Sequence, residues 1–348
     1  MMDTAIVGAR FNDFAILECE GSSELYKSLS LSIATDKELL KLCLNAREGQ
    51  PIPNLLFGAV HYLLLQGTDH QLKEYYPSLV DKPKKNSHLF EAFKDFCLEN
   101  GKEIKSILKN KLVQTNEVRR CAYLYPVFCY IYQQTNKPLS LIEIGTSAGL
   151  QLLWDHYSYS YGTENIYGKN DSFVHLTSNV REGELPHHLL SLNPPVNDRR
   201  GFDLHVSDLT KKEDFLWLKA LIWPEHKDRL VNFEDSVKQL RLNPPHLIEG
   251  DGVALLTEAA EEISADTTLC IFHTHVANQM PNSLKEILLQ RVHEIGKQRD
   301  LFHIYNNMED RMLHADSILN GKAKHRTIGE TDGHGRWFDW KLTSEVLT

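Results

Sequence analysis

The sequence predicts an α/β protein in which a mainly parallel sheet follows a helical N-terminal domain. Up to residue 135 the apolar residues recur at helical spacing, and from residue 139 short apolar runs alternate with amphipathic ones. The first of these short runs ends in a glycine-punctuated turn, which is typical of a strand that leads into a helix beside a ligand. We therefore expect a helical domain over residues 1–135 and an α/β domain over residues 136–348.

Length, composition and charge agree with this division. The chain has 348 residues, of which 42% are hydrophobic and 24% charged, as in a soluble globular protein of about two domains. Residues 1–135 carry 16 basic and 16 acidic side chains, whereas residues 136–348 carry 22 and 31, so the whole formal charge of −9 lies in the second part. An acidic chain argues against nucleic acid as a partner. The oligomeric state is not predicted.

Cysteine usage and the apolar runs indicate a soluble, cytoplasmic protein. The six cysteines form no C-x-x-C pair, so neither a zinc ribbon nor a disulfide framework is expected. The first residues lack the pattern of a signal peptide, and the longest apolar run, Ile52 to Leu65, is too short and interrupted to span a bilayer. We expect no membrane association.

Four apolar runs predict helices in the N-terminal domain, each preceded by a typical start signal. Aspartate, serine and threonine cap helix N-termini, and proline suits the first helical turn. The signals are Thr35–Asp36, Pro53, Ser87 and the segment Thr115–Glu117.

The α/β domain is predicted from apolar runs that are followed by amphipathic ones. The expected strands are Leu139–Ile144, Arg200–Leu204, His246–Glu249, Thr268–Phe272 and Leu301–Tyr305, and the expected helices are Gly149–His156, Val253–Ile263 and Ser283–Gln298. Asp332-Gly333 predicts a final hairpin between Thr327–Thr331 and Arg336–Leu342. Residues of about 157–200 form an insertion, in which Y-S-Y-S-Y-G and F-V-H-L-T are possible short strands.

The most informative segment is L-I-E-I-G-T-S-A-G-L, residues 141–150. In a strand–turn–helix of this kind we expect backbone N–H groups to face a crevice at the positive end of the helix. Gly145 and Gly149 allow a sharp turn and a close approach to a ligand. An acidic residue, Glu143, stands two positions before the first glycine, as in loops that bind S-adenosylmethionine. Thr146 and Ser147 complete the loop, with serine in place of a middle glycine.

A second interpretation is a nucleophile elbow, because the same residues read G-x-S-x-G around Ser147. Asp251 with His273, or Asp332 with His334, would supply the order Ser…Asp…His. The context favours the cofactor loop, since the segment before it reads as helical and contains no glycine-rich oxyanion loop. A third interpretation is a tight strand–helix turn that binds no ligand.

Two acidic residues at predicted strand ends are candidates for holding a nucleoside. Asp203 ends the second strand, where a carboxylate could accept hydrogen bonds from ribose hydroxyls. Glu164 is a second choice, because its spacing from the glycine loop is closer to the usual one. Asp251 follows the third strand and could bind an adenine amino group. Each could equally be an exposed strand end or a simple turn.

His273 and His275 follow the fourth strand and share a face if that strand continues. They could act as a general base or bind a metal ion, and the alternative is a hydrogen-bonded structural pair. No third metal ligand can be placed, so we predict no metal.

Asn116, Glu117 and Arg120 could line a cap over the pocket, although Thr115 or Asn116 could instead be a helix N-cap. The aromatic residues Trp217 and Trp223 fit core or lid packing better than stacking on an acceptor.

Several motifs together resemble a family. They are Q-T-N-E-V-R-R (Gln114–Arg120), P-L-S-L-I-E-I-G-T-S-A-G-L (Pro138–Leu150), R-G-F-D-L (Arg200–Leu204) and W-L-K-A-L-I-W-P-E (Trp217–Glu225). The chain resembles an uncharacterised bacterial family, domain of unknown function 2332, over most of its length. That resemblance implies a helical N-terminal part and a methyltransferase-like α/β part, and it carries no assigned reaction. Through the glycine loop alone the chain is more distantly similar to class I S-adenosylmethionine-dependent methyltransferases, which implies a Rossmann-like sheet.

We therefore expect a methyl transfer from S-adenosylmethionine to a small or mid-sized acceptor that the sequence does not identify. Gly145 to Gly149 would hold the methionyl end of the cofactor, and Glu143 its amino group. His273 or His275 would orient or deprotonate the acceptor. The alternatives are a serine hydrolase that uses Ser147 and a non-catalytic binding protein of the same fold.

Overall fold

The computed structural model describes residues 3–85 and 87–342, which divide into two compact units. The first contains residues up to Thr115 together with Leu209–Val231, and the second contains Asn116–Asp208 and the residues from Asn232 onward. The division therefore falls earlier than the expected boundary at residue 136, and a segment of the second half of the sequence belongs to the first unit.

The elements are numbered in chain order. The helices are α1 (Thr4–Leu17), α2 (Glu24–Ile33), α3 (Lys37–Cys43), α4 (Ile52–Leu65), α5 (Leu89–Glu99), α6 (Gly101–Asn110), α7 (Cys121–Thr135), α8 (His187–Leu190), α9 (Lys212–Ala220), α10 (Lys227–Leu242), α11 (Gly252–Glu261) and α12 (Asn282–Gly296). The strands are β1 (Leu139–Ile144), β2 (Ser158–Ser160), β3 (Tyr167–Gly168), β4 (His175–Thr177), β5 (Asn179–Gly183), β6 (Val196–Asp203), β7 (His246–Glu249), β8 (Thr268–His273), β9 (Leu301–Tyr305), β10 (Met312–Leu319), β11 (Lys322–Lys324), β12 (Thr327–Glu330) and β13 (Trp337–Trp340). Short 3₁₀ helices cover Gln71–Tyr75, Val118–Arg120, Leu150–His156 and Val276–Gln279.

The described part of the first unit is helical, as predicted, and its helices begin near the predicted signals. The Asp36 carboxylate caps α3 by accepting hydrogen bonds from the backbone N–H groups of Glu38 and Leu39. Pro53 lies in the first turn of α4, where the N–H that proline lacks would have no partner in the helix. No helix in the described residues is both long and apolar enough to cross a membrane.

Aromatic packing explains why residues 209–231 belong to the first unit. Trp223 contacts the rings of Phe14 and Tyr26, with centroids 5.4 and 5.7 Å apart. Trp217 contacts the ring of Tyr62, and its indole N–H donates to the Leu112 carbonyl at 2.8 Å. Buried aromatic area of this kind stabilises a fold strongly, so the tryptophans serve the helical core.

The second unit contains a mostly parallel central sheet in the order β11-β10-β9-β8-β1-β6-β7, with β12 paired to β10. The five strands β7, β6, β1, β8 and β9 are parallel neighbours, while β10 runs antiparallel to β9. All five parallel strands lie within one or a few residues of their predicted positions. The sheet is therefore the mixed α/β architecture that the alternating pattern predicts.

The end of the chain differs from the predicted hairpin. β12 pairs with β10 and β13 pairs in parallel with β5, so the two strands belong to different sheets and share one bridge, Thr331 to Phe338. The antiparallel strands β10 and β11 were not predicted. Asn320-Gly321 forms the turn between them, with φ of 49° and 71°. The dipeptide Asn-Gly favours a tight hairpin turn, so it was the signal in the sequence from which β10 and β11 could have been predicted.

Helices cover both faces of the central sheet, as a parallel sheet requires. On one face Ile142 and Ile144 of β1 pack with residues of α11 and α12. On the other face Phe128 of α7 stacks on Trp154 at 4.5 Å and meets Phe272 of β8 edge-on at 5.6 Å. α7 thus belongs to the sheet unit rather than to the helical unit, which is the physical reason for the earlier boundary.

The predicted insertion forms two small sheets beside the central one. β2 and β4 are the two short strands expected in it, and they pair with β3 in the order β3-β2-β4. β5 and β13 form a separate two-stranded sheet.

Candidate functional site

The strand order places a switch point of the sheet at the carboxyl ends of β1 and β8, and we refer to the region around it as the crevice. Counted along the chain, the parallel strands lie in the order third, second, first, fourth, fifth, so the chain continues from β1 and from β8 to opposite sides of the sheet. Ligands in open α/β sheets bind at such a switch point. Glu143, Asp203 and Thr274 lie at the ends of β1, β6 and β8 around this point.

Glu143 is the buried carboxyl group of the crevice. Its register partner on β8 is Phe272, so both side chains lie on the α7 face of the sheet. Glu143 is 2% exposed and accepts a hydrogen bond from the Thr146 hydroxyl at 2.6 Å. Burial raises the pKa of Glu143 to about 8, with a smaller rise from the Asp203 charge, while Arg120 and the Thr146 hydroxyl oppose the shift. The crevice therefore holds a carboxyl group that a cation would ionise.

The backbone N–H groups of the glycine loop are all hydrogen-bonded within the protein. We expected its N–H groups to face the crevice, and this expectation is wrong, because each N–H of residues 145–149 has an acceptor within the second unit. The acceptors are Phe202 O for Gly145 and Thr146, Asp203 Oδ2 for Ser147, Asn116 Oδ1 for Ala148 and Thr146 O for Gly149. A backbone N–H cradle for phosphate is therefore not available here.

The two glycines serve packing as well as the turn. Gly145 and Gly149 have φ of 76° and 77°, a region that favours glycine. A Cβ at position 145 would lie 2.6 Å from the Val276 side chain, and one at position 149 would lie 2.8 Å from Leu247. The segment after the loop is a short 3₁₀ helix, Leu150–His156, rather than the expected α-helix, so its dipole offers little to a ligand.

Ser147 has an amide partner and no catalytic base. Its hydroxyl oxygen accepts a hydrogen bond from Asn116 Nδ2 at 2.8 Å, and it is 5% exposed. In the described part of the chain no histidine or carboxylate is hydrogen-bonded to this hydroxyl. The geometry therefore gives the hydrolase interpretation no support from a neighbouring base.

Two of the three carboxylates predicted to bind a nucleoside hold backbone groups. Asp203 accepts from the N–H groups of Ser147 and His205 at 2.8 and 3.0 Å, so it fixes the loop. Asp251 is the N-cap of α11 and accepts from two N–H groups of that helix. Glu164 is exposed in the segment between β2 and β3. If Asp203 binds ribose hydroxyls, its carboxylate must do so while it also accepts hydrogen bonds from the backbone of the loop.

His273 does not lie in the crevice, which corrects its expected role as a base. β8 ends at this residue, and strand alternation turns His273 to the face of Ile271, opposite to Phe272. The ring is 0% exposed and its Nε2 lies 3.2 Å from His303 Nε2. Burial lowers the pKa of His273 to about 3 and that of His303 well below its usual value. The His273–His303 pair is neutral and structural, whereas the structural pair considered from the sequence was His273 with His275.

His275 lies apart from His273 because its φ of 63° turns the chain out of the strand. Its backbone N–H donates to Asn306 Oδ1 at 2.8 Å, and its Nδ1 lies 3.4 Å from Asn307 Nδ2. Among the described residues its buried Nε2 has no hydrogen-bond partner. Burial, followed by the charge of Arg120, lowers the pKa of His275 to about 3. The neutral ring of His275 can therefore offer Nε2 to a ligand for a hydrogen bond, but its low pKa makes it a weak base.

Arg120 connects the crevice to the turn between β12 and β13. Its Nε donates to the Gly333 carbonyl at 2.9 Å and its Nη1 to the Thr274 hydroxyl at 3.4 Å. The Thr274 hydroxyl donates in turn to Gln151 Oε1 at 3.0 Å. Arg120 is one of the cap residues predicted from sequence, and the structure brings it to β8.

Glu117 also links the 3₁₀ turn before α7 to the turn between β12 and β13. One carboxylate oxygen accepts from the Arg119 N–H and caps the 3₁₀ turn, which corrects the expectation of Thr115 or Asn116 as N-cap. The other oxygen lies 3.2 Å from His334 Nδ1. Together Glu117, Arg120 and His275 surround the β8 end of the crevice.

Sequence reasoning missed Thr274, Gln151 and His334 as members of this cluster. Gln151 is the first polar side chain after the loop, and Thr274 lies between the two histidines that drew attention. His334 was considered only as part of a hydrolase triad. The turn signal at Asp332-Gly333 does not predict that this turn lies near the end of β8. Its contact with Arg120 depends on the packing of segments that are distant in sequence.

A group outside the crevice, in the first unit, has side chains of the kinds that bind metal. His70, Asp95 and Glu99 bring one ligand atom each within 4.8 Å of one another. His70 Nδ1 accepts a hydrogen bond from the Leu72 N–H, so the neutral ring carries its proton on Nε2, the atom that faces Asp95. A protonated ring nitrogen cannot bind a metal ion, so this arrangement is not that of a metal site.

The comparisons with known proteins give a family and no nearer relative. The model of the family described as "Uncharacterized protein conserved in bacteria (DUF2332)" matches residues 8–340. The chain belongs to this family. No curated protein and no solved structure matches the chain significantly. The match confirms the family resemblance drawn from its motifs.

Proposed function

We propose that the protein is an S-adenosylmethionine-dependent methyltransferase that acts on a small or mid-sized acceptor. The observation that carries this proposal is the chemistry of the crevice, where a buried carboxyl group, Glu143, lies beside a loop with no N–H group to offer. Such a site suits a ligand that brings positive charge and disfavours one that brings phosphate. The strand order is also that of a Rossmann-like sheet, which supports the same fold class.

The fit to a cationic cofactor rests on donor and acceptor types. Glu143 could accept hydrogen bonds from an ammonium group, which would stabilise its ionised form against the cost of burial. Dinucleotide cofactors fit less well, because their diphosphate needs the N–H groups that Phe202, Asp203 and Asn116 occupy. The bound cofactor would supply an electrophilic methyl group on a sulfonium.

The chain's own contribution to such a transfer is alignment and exclusion of water. His275 is neutral at pH 7, and its Nε2 could hold an acceptor by one hydrogen bond. Arg120 and Thr274 fix the geometry of the β8 end through their mutual contact. Asp203 and Asn116 act as positioning residues, because they hold the loop rather than touch the reacting atoms.

Calorimetric titration of the full chain tests the proposal. We expect saturable binding of S-adenosylmethionine and S-adenosylhomocysteine, no binding of the dinucleotide NAD, and affinity at least about tenfold lower in Glu143→Gln. Glu258→Gln, an exposed position on α11, is the matched control and should bind as the wild type does.

Absence of heat from both sulfur ligands at millimolar concentration would overturn the cofactor assignment. Covalent labelling of Ser147 by a fluorophosphonate probe would favour a hydrolase instead. Binding without any methyl transfer to a panel of small acceptors would leave a non-catalytic binding protein as the better description.

A further inference from the structure

A second polar concavity lies in the same unit and is lined by none of the residues assigned to the crevice. It is an open cavity of about 320 Å³ near the junction of β2, β4 and β5. Of the eight described residues that line it, two are arginines, four carry hydroxyl groups and none is acidic. The charged and hydroxyl-bearing residues are Arg119, Arg336, Ser160, Thr163, Thr177 and Ser178.

Ser178 is the most buried member of this lining. It follows β4 directly, and its N–H donates to the Ser160 carbonyl at 3.1 Å, which fixes its position. The side chain is 3% exposed, and its hydroxyl has no hydrogen-bond partner among the described residues. A buried hydroxyl without a partner costs free energy, which a ligand oxygen in the cavity would recover.

The two arginines are fixed by their own turns. Arg119 is 8% exposed, and its N–H donates to the Glu117 carboxylate that caps the turn. Arg336 donates from Nε and Nη2 to the two carboxylate oxygens of Asp332 at 2.9 and 2.8 Å. Gly335 packs against the backbone of Arg119, so closely that a Cβ there would lie 2.6 Å from its carbonyl oxygen. This contact holds the two arginine-bearing turns together.

We propose that this cavity binds an oxyanion, the phosphate or carboxylate group of a small molecule. Guanidinium groups bind planar and tetrahedral oxyanions through paired N–H donors, and serine and threonine hydroxyls complete such sites. No acidic side chain belongs to the described lining, and the carboxylate of Asp332, which pairs with Arg336, lies outside that lining. The site is separate from the Glu143 crevice and does not depend on the cofactor assignment.

Titration of the full chain with inorganic phosphate and with acetate, at constant ionic strength set by potassium chloride, tests this proposal. We expect saturable binding, at least about fivefold weaker in Ser178→Ala and at least about tenfold weaker in Arg119→Gln. Tighter binding of phosphate identifies a phosphorylated ligand, and tighter binding of acetate a carboxylate. Arg311→Gln, at an exposed arginine outside the cavity, is the matched control and should leave the affinity unchanged.

Ser178→Ala keeps the test decisive if Arg119→Gln does not fold, because the hydroxyl that it removes makes no hydrogen bond within residues 3–85 and 87–342. Equal phosphate and acetate affinity in Ser178→Ala and in the wild type, or a response that does not saturate, would overturn the proposal. The same samples are titrated with S-adenosylhomocysteine, whose binding should not change in Ser178→Ala. Failure of one site is thereby distinguished from failure of the other.

Discussion

At the scale of single residues, Glu143 shows how strand geometry sets chemistry. The alternation of β1 sends its side chain to the α7 face, where the only hydrogen bond to the carboxyl group among the described contacts comes from Thr146. Without a cation at hydrogen-bond distance, burial dominates and the pKa rises to about 8. The folded protein thus keeps this carboxyl largely protonated at neutral pH.

That protonation makes stability depend on pH in a defined direction. The folded-state pKa of about 8 exceeds the ordinary 4.5, so the folded state binds one more proton than the unfolded state between these values. The Glu143 contribution to the free energy of unfolding therefore falls from about pH 4.5 to 8, by at most about 1.4 kcal/mol per pH unit, and is level above. Glu143→Gln should remove this fall.

Urea unfolding between pH 5 and 8.5 measures the effect. We expect Glu143→Gln to match the wild type at pH 5 and to exceed its stability at pH 8.5 by on the order of a few kcal/mol. Glu258→Gln, on the exposed side of α11, should show the wild-type profile. A constant difference between Glu143→Gln and the wild type across the range would contradict the raised pKa.

Asn116 is the second residue that carries a testable role, because its amide joins two points of the loop. Nδ2 donates to the Ser147 hydroxyl, and Oδ1 accepts from the Ala148 N–H. We expect Asn116→Ala to lower the free energy of unfolding by about 1–3 kcal/mol, and Asn116→Asp, which keeps the acceptor, to lower it less. A double-mutant cycle with Ser147→Ala measures the coupling directly. Zero coupling would show that the hydrogen bond contributes nothing to the loop.

The loop illustrates what sequence could predict at this scale. The spacing of glycine and serine predicted a tight turn after β1, and the positive φ of Gly145 and Gly149 agrees. The closure of the loop could not be predicted, since its acceptors come from Phe202, Asp203 and Asn116. These are brought to it by strand pairing and by the turn before α7.

At the scale of elements, the N-cap of α11 allows a structural role of Asp251 to be tested separately from a binding role. Asp251 was predicted to hold the adenine end of a cofactor, and in the structure its Oδ1 caps α11 by accepting from the N–H groups of Val253 and Ala254. Asparagine caps helices about as well as aspartate but carries no charge. The two functions can therefore be separated by substitution.

We expect Asp251→Ala to lower the free energy of unfolding by about 1 kcal/mol and Asp251→Asn to leave it nearly unchanged. Thermal or urea unfolding measures both. If Asp251 also binds the cofactor, Asp251→Asn will weaken binding of S-adenosylhomocysteine while keeping stability. Equal affinity in Asp251→Asn and the wild type would restrict Asp251 to the helix cap.

The strands show where periodicity is informative. β1, β8 and β9 are short, mainly apolar runs, because both of their faces are covered, and they were predicted at nearly their observed bounds. β6 is largely polar and begins at Val196, four residues before its predicted start. β10 escaped prediction because its buried residues alternate with polar ones, as Leu313, Ala315 and Ser317 show. The turn Asn320-Gly321 after it was the stronger signal.

At the scale of the whole molecule, the chain passes three times between the two units, after Thr115, after Asp208 and after Val231. The change from helical spacing to alternating strands and helices predicts a boundary near residue 136, where the first strand begins. Helical periodicity does not show which hydrophobic core a helix packs against. α7 joins the sheet unit, and Leu209–Val231 joins the helical one through Trp217 and Trp223. The pattern of apolar residues thus predicts the types of element, whereas the grouping of elements into the two compact units depends on contacts between distant segments.

This difference leads to a prediction about fragments. A chain of residues 136–348 lacks α7, whose Phe128 and Tyr125 stack on Trp154 and Tyr159 at 4.5 and 4.4 Å. A chain of residues 116–348 keeps this layer and carries the same segment 209–231, so the two fragments differ only in residues 116–135. Loss of that much buried aromatic surface exceeds the margin by which most domains are stable. We expect 116–348 to retain near-ultraviolet circular dichroism and a cooperative urea transition, and 136–348 to lose both. Equal cooperativity of urea unfolding in the two fragments would instead support the boundary near residue 136 that the sequence pattern predicts.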